Sequence, residues 1–267
     1  MDPVTLRASE WVVLAYFAYL ALLAWRSPVG TARRVRMLEE ALATVALSLW
    51  LSRYDAGLGL ILRNWLPGLY LLAMYWVPSR LVIGTHQRFQ EMLIELDRRW
   101  LSIAHRTRMP QLVLEVLEFF YLLCYPLIPA GIAVLYLGGA TAFADRYWTA
   151  VLLAGALSYG FLPWLPTRPP RETFGMPTAS TFGSFNMRIV HRSAVGWNTF
   201  PSGHVATSFA AAFGVWSVLP EAGAVLVVIA LGIAIASSVG RYHYAADIVT
   251  GVLVAIVAFG VSVLSTS

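Results

Sequence analysis

Four stretches of the chain, Phe119 to Ala144, Tyr147 to Thr167, Ala222 to Gly240 and Ile248 to Ser267, each run about a bilayer's width without a charged residue. A hydrocarbon core about 30 Å thick needs roughly 20 residues of helix at about 1.5 Å each. These blocks make the chain an all-α, polytopic transmembrane helix bundle. Composition points the same way: of 267 residues, 58% are apolar and 12% charged, against about 25% charged in ordinary globular domains. That leaves too little charge to coat a water-soluble surface. The formal charge of +5 would suggest nucleic acid in a soluble protein, but here the basic residues bracket apolar blocks, where they set topology or meet anionic lipid. No nucleic-acid partner is expected. All nineteen basic residues are Arg. The lone cysteine, Cys124, lies inside an apolar run and excludes an intrachain disulfide.

Apolar length and turn signals place spans near residues 10–26, 38–52, 62–84, 111–137, 147–166, 202–218, 222–240 and 243–264. The first leads into Arg26 without a small-residue cleavage pattern, so it reads as a retained span and not as a signal peptide. The second is short and followed by Arg53 and Asp55. It reads as a span or as a re-entrant or tilted piece, which makes the count eight or seven. Between the third and fourth, Phe89, Met92, Leu93, Leu96, Trp100 and Ile103 recur at helical spacing against Arg88, Glu91, Glu95, Arg98 and Arg99. This is an amphipathic helix over 86–106, expected in the headgroup layer, where it either draws in anionic lipid or packs on the bundle as a linker. His86 and His105 flank it and are expected to take no part in catalysis. The polar connection from Arg168 to Thr199 is too long for an idle bundle turn.

The residues that carry chemistry lie in the C-terminal hundred. Thr167-Arg168-Pro169-Pro170-Arg171 ends the fifth span, Phe200-Pro201-Ser202-Gly203-His204 opens the sixth, and Gly240-Arg241-Tyr242-His243-Tyr244-Ala245-Ala246-Asp247 opens the eighth. Because the sixth and seventh spans form a hairpin, a chain leaving one membrane face at His204 returns to that face near His243. Only a loop separates Arg171 from Ser202. His243 and Asp247 are four apart and so share a helix face, where the carboxylate can bond one imidazole nitrogen and leave the other as nucleophile or base. An ionisable residue at the mouth of a span, with a partner, is a functional site by default. Ser202 reads as a helix N-cap and Gly203 as a point of close backbone approach, with free N–H groups that favour an anion. His204 is then placed to protonate a leaving oxygen. Two histidines, a paired aspartate, a helix N-terminus and several arginines on one face suit a tetrahedral oxyanion, and arginine forks match phosphate oxygens bidentately.

These motifs resemble those of the type 2 phosphatidic acid phosphatase superfamily, which includes the vanadium haloperoxidases and has the general pattern K-x6-R-P, P-S-G-H, S-R-x5-H-x3-D. Pro201 to His204 matches the second motif, and His243 with Asp247 matches the end of the third. Phe161 stands where the pattern has Lys, and Ser237 where the third motif has Arg. The replacements, Arg171 in P-P-R and Arg241 in R-Y-H-Y-A-A-D, are similar to the branch of inositol phosphorylceramide synthases and their bacterial relatives. The resemblance covers residues 111 to the C-terminus. It implies a six-helix phosphatase core over 111–267, preceded over 1–110 by additional spans and the amphipathic helix.

The resemblance also implies roles. His243 would take the phosphoryl group, with Asp247 as its orienter and His204 as acid and then base. Arg171, Arg241, Ser202 and the Gly203 backbone would hold the phosphate oxygens, and Arg168 would replace the missing Lys or anchor the helix end. It implies neither metal nor cofactor. Glu115 and Glu118 read as lining a head-group pocket or as interfacial residues, and Arg188, His191 and Arg192 as lid residues or as a solvated loop. The leading function is a membrane phosphatase or phosphotransferase acting on a lipid phosphate or phosphodiester, with water, a polyol or a lipid hydroxyl as acceptor. The alternative is a non-catalytic lipid-binding scaffold of the same fold. Arg26, Arg33, Arg34, Arg36, Arg88, Arg98, Arg99, Arg106 and Arg108 flank spans on the face of the active loop, which positive-inside reasoning assigns to the cytoplasm.

Overall fold

The computed structural model describes residues 5–100, 109–175 and 180–266. Its helices, in chain order, are α1 (Ala8–Arg26), α2 (Thr31–Leu51), α3 (Gly57–Trp65), α4 (Pro67–Trp76), α5 (Gln87–Trp100), α6 (Gln111–Leu122), α7 (Cys124–Leu137), α8 (Ala144–Tyr159), α9 (Pro170–Phe174), α10 (Thr181–Ser193), α11 (Gly203–Trp216), α12 (Pro220–Val239) and α13 (Ala245–Ser265). Among the described residues the only β pairing is an isolated bridge between Thr167 and Asn198.

The bundle is organised on α8, against which α1, α4, α11 and α13 all pack. Small side chains permit this: Ala206, Ala210, Ala211 and Ala212 of α11, with Ala150 and Ala154 of α8, are fully buried. With lipid as apolar as leucine, helices in a membrane gain most from such close backbone approach.

Among the described residues four segments are long and apolar enough to cross a bilayer: α1, Gly57–Leu81 (α3, α4 and a final 3-10 turn), α12 and α13. The pair α6 and α7 makes a fifth if the 54° bend between them belongs to one span. Pro126 accounts for the bend, because it has no amide to give the Leu122 carbonyl and its ring crowds that turn. The expected spans 147–166 and 202–218 are shorter than drawn, at 16 and 14 helical residues, or about 24 and 21 Å, and they hold the buried centre. The expected span 38–52 lies in α2, whose Arg34, Arg36, Glu39 and Glu40 keep it out of the apolar set. The protein is thus a multi-pass integral membrane helix bundle.

The N-terminal helices are fastened to α8 at the end of the bundle where α1 begins. Arg63, 3% exposed, grips Glu10 with two nitrogens, at 2.7 and 2.8 Å, and also bonds Asp55. Asp145, in the first turn of α8, accepts from the Ala8 and Ser9 amides at 3.2 and 3.1 Å and so caps α1.

At the opposite end, α5 turns its apolar side inward. Leu93 is buried with Tyr244 and Ala246, and Phe89 meets Phe200 edge-on at 4.9 Å. Of the two roles open to this helix, packing on the bundle is the one seen. Its expected continuation to 106 lies outside the described residues, as do His105, Arg106 and Arg108. The polar connection 168–199 carries α9 and α10.

Candidate active site

The His243–Asp247 pair forms at the start of α13. The Tyr242 and His243 amides both reach back to the Ser237 carbonyl, at 3.0 and 3.1 Å, closing α12. The chain then enters α13, where the Tyr244 amide donates to Asp247 Oδ2 at 3.0 Å. His243 itself lies in the turn before α13 and not on the helix face expected for it, yet its Nδ1 lies 3.3 Å from the same oxygen, with both side chains buried. Asn198 supplies a further donor, its Nδ2 lying 2.7 Å from Asp247 Oδ2. Three groups thus converge on one carboxylate oxygen, while Oδ1 is buried with no hydrogen-bond partner among the described residues.

Asn198 had no signal in the sequence beyond standing six residues before His204. Its side chain also bonds Thr167 Oγ1 at 3.1 Å, and its amide bonds the Thr167 carbonyl at 2.8 Å. It therefore ties the end of the first motif to the aspartate of the third.

His204 enters from α11, whose N-cap Ser202 accepts from the Val205 amide at 3.4 Å while its own amide bonds the Asp247 carbonyl at 2.9 Å. The rings of His204 and His243 are 6.0 Å apart and steeply inclined. Both line a cavity of about 530 Å³ with Arg168, Arg171, Asn198 and Thr207. Tyr75, Tyr121, Tyr125, Tyr159, Trp197 and Tyr242 supply aromatic wall.

The structure does not bring every expected phosphate ligand to this wall. Arg171 Nη1 is buried without a hydrogen-bond partner among the described residues, and its guanidinium lies 5.0 Å from the Tyr242 ring centre. Arg168 lies over Trp197 at 4.2 Å and donates to the Gly196 carbonyl at 2.8 Å, so it both lines the cavity and anchors the loop. Arg241 faces elsewhere: its Nη1 bonds the carbonyls of Phe174 and Gly175 at the end of α9. Its backbone is at φ 55°, a left-handed conformation that few non-glycine residues adopt. Ser202 and Gly203 also lie behind the wall. The Ser202 hydroxyl is engaged as N-cap, and the Gly203 amide faces Thr199 Oγ1 at 3.4 Å. Glycine is required at 203 by packing, since a Cβ there would sit 2.0 Å from Tyr159 Cε1.

Glu115 and Glu118 lie outside the cavity wall and hold α10 instead. Glu115 accepts from the Thr181 and Phe182 amides at 2.6 and 2.9 Å, and Glu118 Oε2 accepts from Asn186 at 2.7 Å. On α10, Met187, Val190 and His191 line the cavity, whereas Arg188 and Arg192 do not. Sequence reasoning missed the contribution of α4, whose Leu71, Leu72, Tyr75 and Trp76 form part of the wall. Trp76 Nε1 and the Tyr75 hydroxyl bond Ser193 and Val195, at 2.9 and 3.2 Å, which fixes α4 to the end of α10. Also unforeseen is Asp97 of α5, buried and accepting from the Ala245 amide at 2.8 Å, in the first turn of the helix that bears Asp247. Burial pushes its carboxyl up to about 6; the Ala245 bond opposes this and the Asp247 charge adds to it.

A PA-phosphatase related-family protein of Dictyostelium discoideum is 39% identical to this chain over 74 residues, which are 28% of this chain and 13% of that protein. The match therefore spans only a small part of that relative. No solved structure gives a significant match. The profile of the PAP2 superfamily matches residues 133–267, just over half of the chain and the stretch that holds both histidines, Asp247 and the two cavity arginines. With its ordered motifs and helical bundle, the chain belongs to the PAP2 superfamily.

Proposed function

We propose that this protein is a membrane phosphatase or phosphotransferase that cleaves a lipid phosphate or phosphodiester through a phosphohistidine on His243. The observation that carries the reading is the buried His243–Asp247 pair facing His204 at 6.0 Å across a cavity that also holds Arg171. With Nδ1 engaged by Asp247, the Nε2 lone pair of His243 is the nucleophile. It attacks phosphorus, the bond from phosphorus to the lipid oxygen breaks, and His204 gives that oxygen a proton. In the second half His204 takes a proton from water or a hydroxyl, the new oxygen bonds phosphorus, and the phosphorus–nitrogen bond breaks. Arg171 and Arg168 balance charge on the non-bridging oxygens. Ser202 and Gly203 position His204, and Arg241 holds α9, from which Arg171 projects. No metal or cofactor enters this scheme.

The catalytic core in this reading is residues 111–267, and residues 1–110 are an addition that lends α4 to the cavity wall. Arg171 in P-P-R and Arg241 two before His243 favour the inositol phosphorylceramide synthase-like branch, hence transfer to a polyol or lipid hydroxyl. The test is release of phosphate from a panel of lipid phosphates, with and without polyol acceptors, with the product lipids compared. Free phosphate alone identifies hydrolysis, acceptor-bound phosphate identifies transfer, and neither product from any substrate overturns the reading. The site is assigned to the cytoplasmic face by the arginines around α1, α2 and α5. A membrane-impermeant thiol reagent that labels Ser184→Cys in intact cells would reverse that assignment.

A further inference from the structure

Glu118 is a buried carboxylate that the scheme above leaves without a role. It sits on α6, 8% exposed, one turn before the break at Leu123. Its Oε2 accepts from two side chains: the Tyr242 hydroxyl at 2.8 Å and Asn186 Nδ2 at 2.7 Å. Asn186, fully buried on α10, bonds the Glu118 carbonyl as well, at 2.8 Å. A buried carboxylate is retained only with good partners, and these two join it to α10 and to the residue preceding His243.

The Tyr242 ring is held on several sides. Tyr121 stacks on one face, with ring centres 3.7 Å apart and planes within 8°. Gly240 abuts the ring edge, where a Cβ would stand 2.4 Å from Tyr242 Cε2. With Tyr121 filling one face, the other is left for the Arg171 guanidinium, 5.0 Å from the ring centre. A cation over a ring face is attracted by the ring quadrupole and restricted in direction by the ring plane. The orientation of Tyr242 therefore sets that of Arg171, whose Nη1 is buried and without a hydrogen-bond partner among the described residues.

We propose that Glu118 is a positioning residue for Arg171, acting through Tyr242. The carboxylate fixes the phenol, the fixed ring directs the guanidinium at the phosphate, and Asn186 makes the arrangement depend on α10 being seated over the cavity. The inference rests on the proposed role of Arg171 as a phosphate ligand. It assigns Glu118 no contact with substrate, and Tyr242, which lines the cavity, none with the phosphate.

The test is vanadate affinity of the full-length protein in detergent, measured in a double-mutant cycle. In the parent background Glu118→Leu is expected to weaken vanadate roughly tenfold, as loss of one charge-assisted contact would. Glu118→Gln, which keeps an acceptor for the phenol, should stay within about threefold. In an Arg171→Ala background Glu118→Leu should change nothing further, because the residue it positions is gone. Tyr242→Leu must repeat the Glu118→Leu pattern, and it carries the test by itself if Glu118→Leu fails to fold. Equal losses from Glu118→Leu or Tyr242→Leu in both backgrounds, or parental affinity in Tyr242→Leu, overturn the inference. Parental affinity in Arg171→Ala instead overturns the phosphate-binding role of Arg171, and the inference falls with it.

Discussion

Asn198→Ala tests how much of the site depends on a residue outside the three motifs. Asn198 and Asp247 are both buried, 4% and 0% exposed, and their contact is 2.7 Å, so the lost bond is a desolvated one to a charged acceptor. Such bonds contribute about 1.5–3 kcal/mol. At about 1.4 kcal/mol per factor of ten, full expression in the transition state lowers kcat roughly 10- to 150-fold. The loss should fall on kcat, because Asp247 is needed most when His243 gains positive charge on bonding phosphorus. The loop itself is kept, since the Asn198 amide still bonds the Thr167 carbonyl at 2.8 Å. Thr167→Val removes only the other side-chain partner, at 3.1 Å, and should stay within about threefold. Asn198→Asp sets a second carboxylate against Asp247 and should lose more at neutral pH, with partial recovery in acid where the two share a proton. The assay is phosphate release from an alkyl lipid phosphate in mixed micelles. Parental kcat in Asn198→Ala, or an equal loss in Thr167→Val, would refute the reasoning.

Other expectations follow from the same geometry. His204→Ala should lose about 10²–10⁴-fold on an alkyl lipid phosphate but far less on an aryl phosphate, whose leaving oxygen needs little protonation, whereas His243→Ala should be inactive on both; equal losses for both variants on both substrates would remove the acid role of His204. Asp97 has its carboxyl raised from 3.8 to about 6, so its contribution to stability is complete below about pH 3.8 and is lost as pH rises through about 6. Thermal unfolding followed by tryptophan fluorescence should therefore fall more steeply between about pH 4 and 6.5 in the parent than in Asp97→Asn, and parallel curves would contradict this. Arg63→Met strands Glu10 in the bundle and should cost about 3–5 kcal/mol of stability without altering KM for substrate in protein that remains folded.

The parts of the site legible in the sequence are those fixed by helix arithmetic. His243 and Asp247 meet at the spacing of four that the sequence shows, although His243 stands in the turn two residues before α13 and only Asp247 is helical, and the α11–α12 hairpin returns the chain to the level of His204. Both are consequences of period and length, which a sequence states directly. What was not legible depends on contacts between distant segments or on single backbone torsions. The turn from α12 into α13 puts Arg241 at positive φ and carries its side chain to α9, which no residue count reveals. Asn198 reaches Asp247 across 49 positions and Asp97 reaches Ala245 across 148. Neither pair has a periodic signature. The fold shows the same division: apolar blocks located the long helices, whereas α8 and α11, buried by neighbouring helices, proved shorter than their apolar runs.

The cations of the cavity show how a departure from a family pattern can be absorbed. Phe161, at the position where the pattern has lysine, is 47% exposed and absent from the cavity wall. Both arginines that line the cavity come from the short stretch that runs from Thr167 into α9, on the C-terminal side of that position. Each is held by an aromatic ring, Arg168 by Trp197 and Arg171 by Tyr242. A lysine on a helix would bring a compact, strongly hydrated charge on a flexible stem, whereas a guanidinium lying on a ring is planar and already oriented. Arginine on aromatic supports thus suits a chain that has no lysine, and under the proposed phosphate role of Arg168 the loop that carries Trp197 would belong to the anion site. Trp197→Leu should therefore weaken vanadate binding although Trp197 carries no charge, and the effect should vanish in an Arg168→Ala background. A Trp197→Leu effect of equal size in both backgrounds would mean that Trp197 only shapes the cavity and that Arg168 is an anchor of the loop.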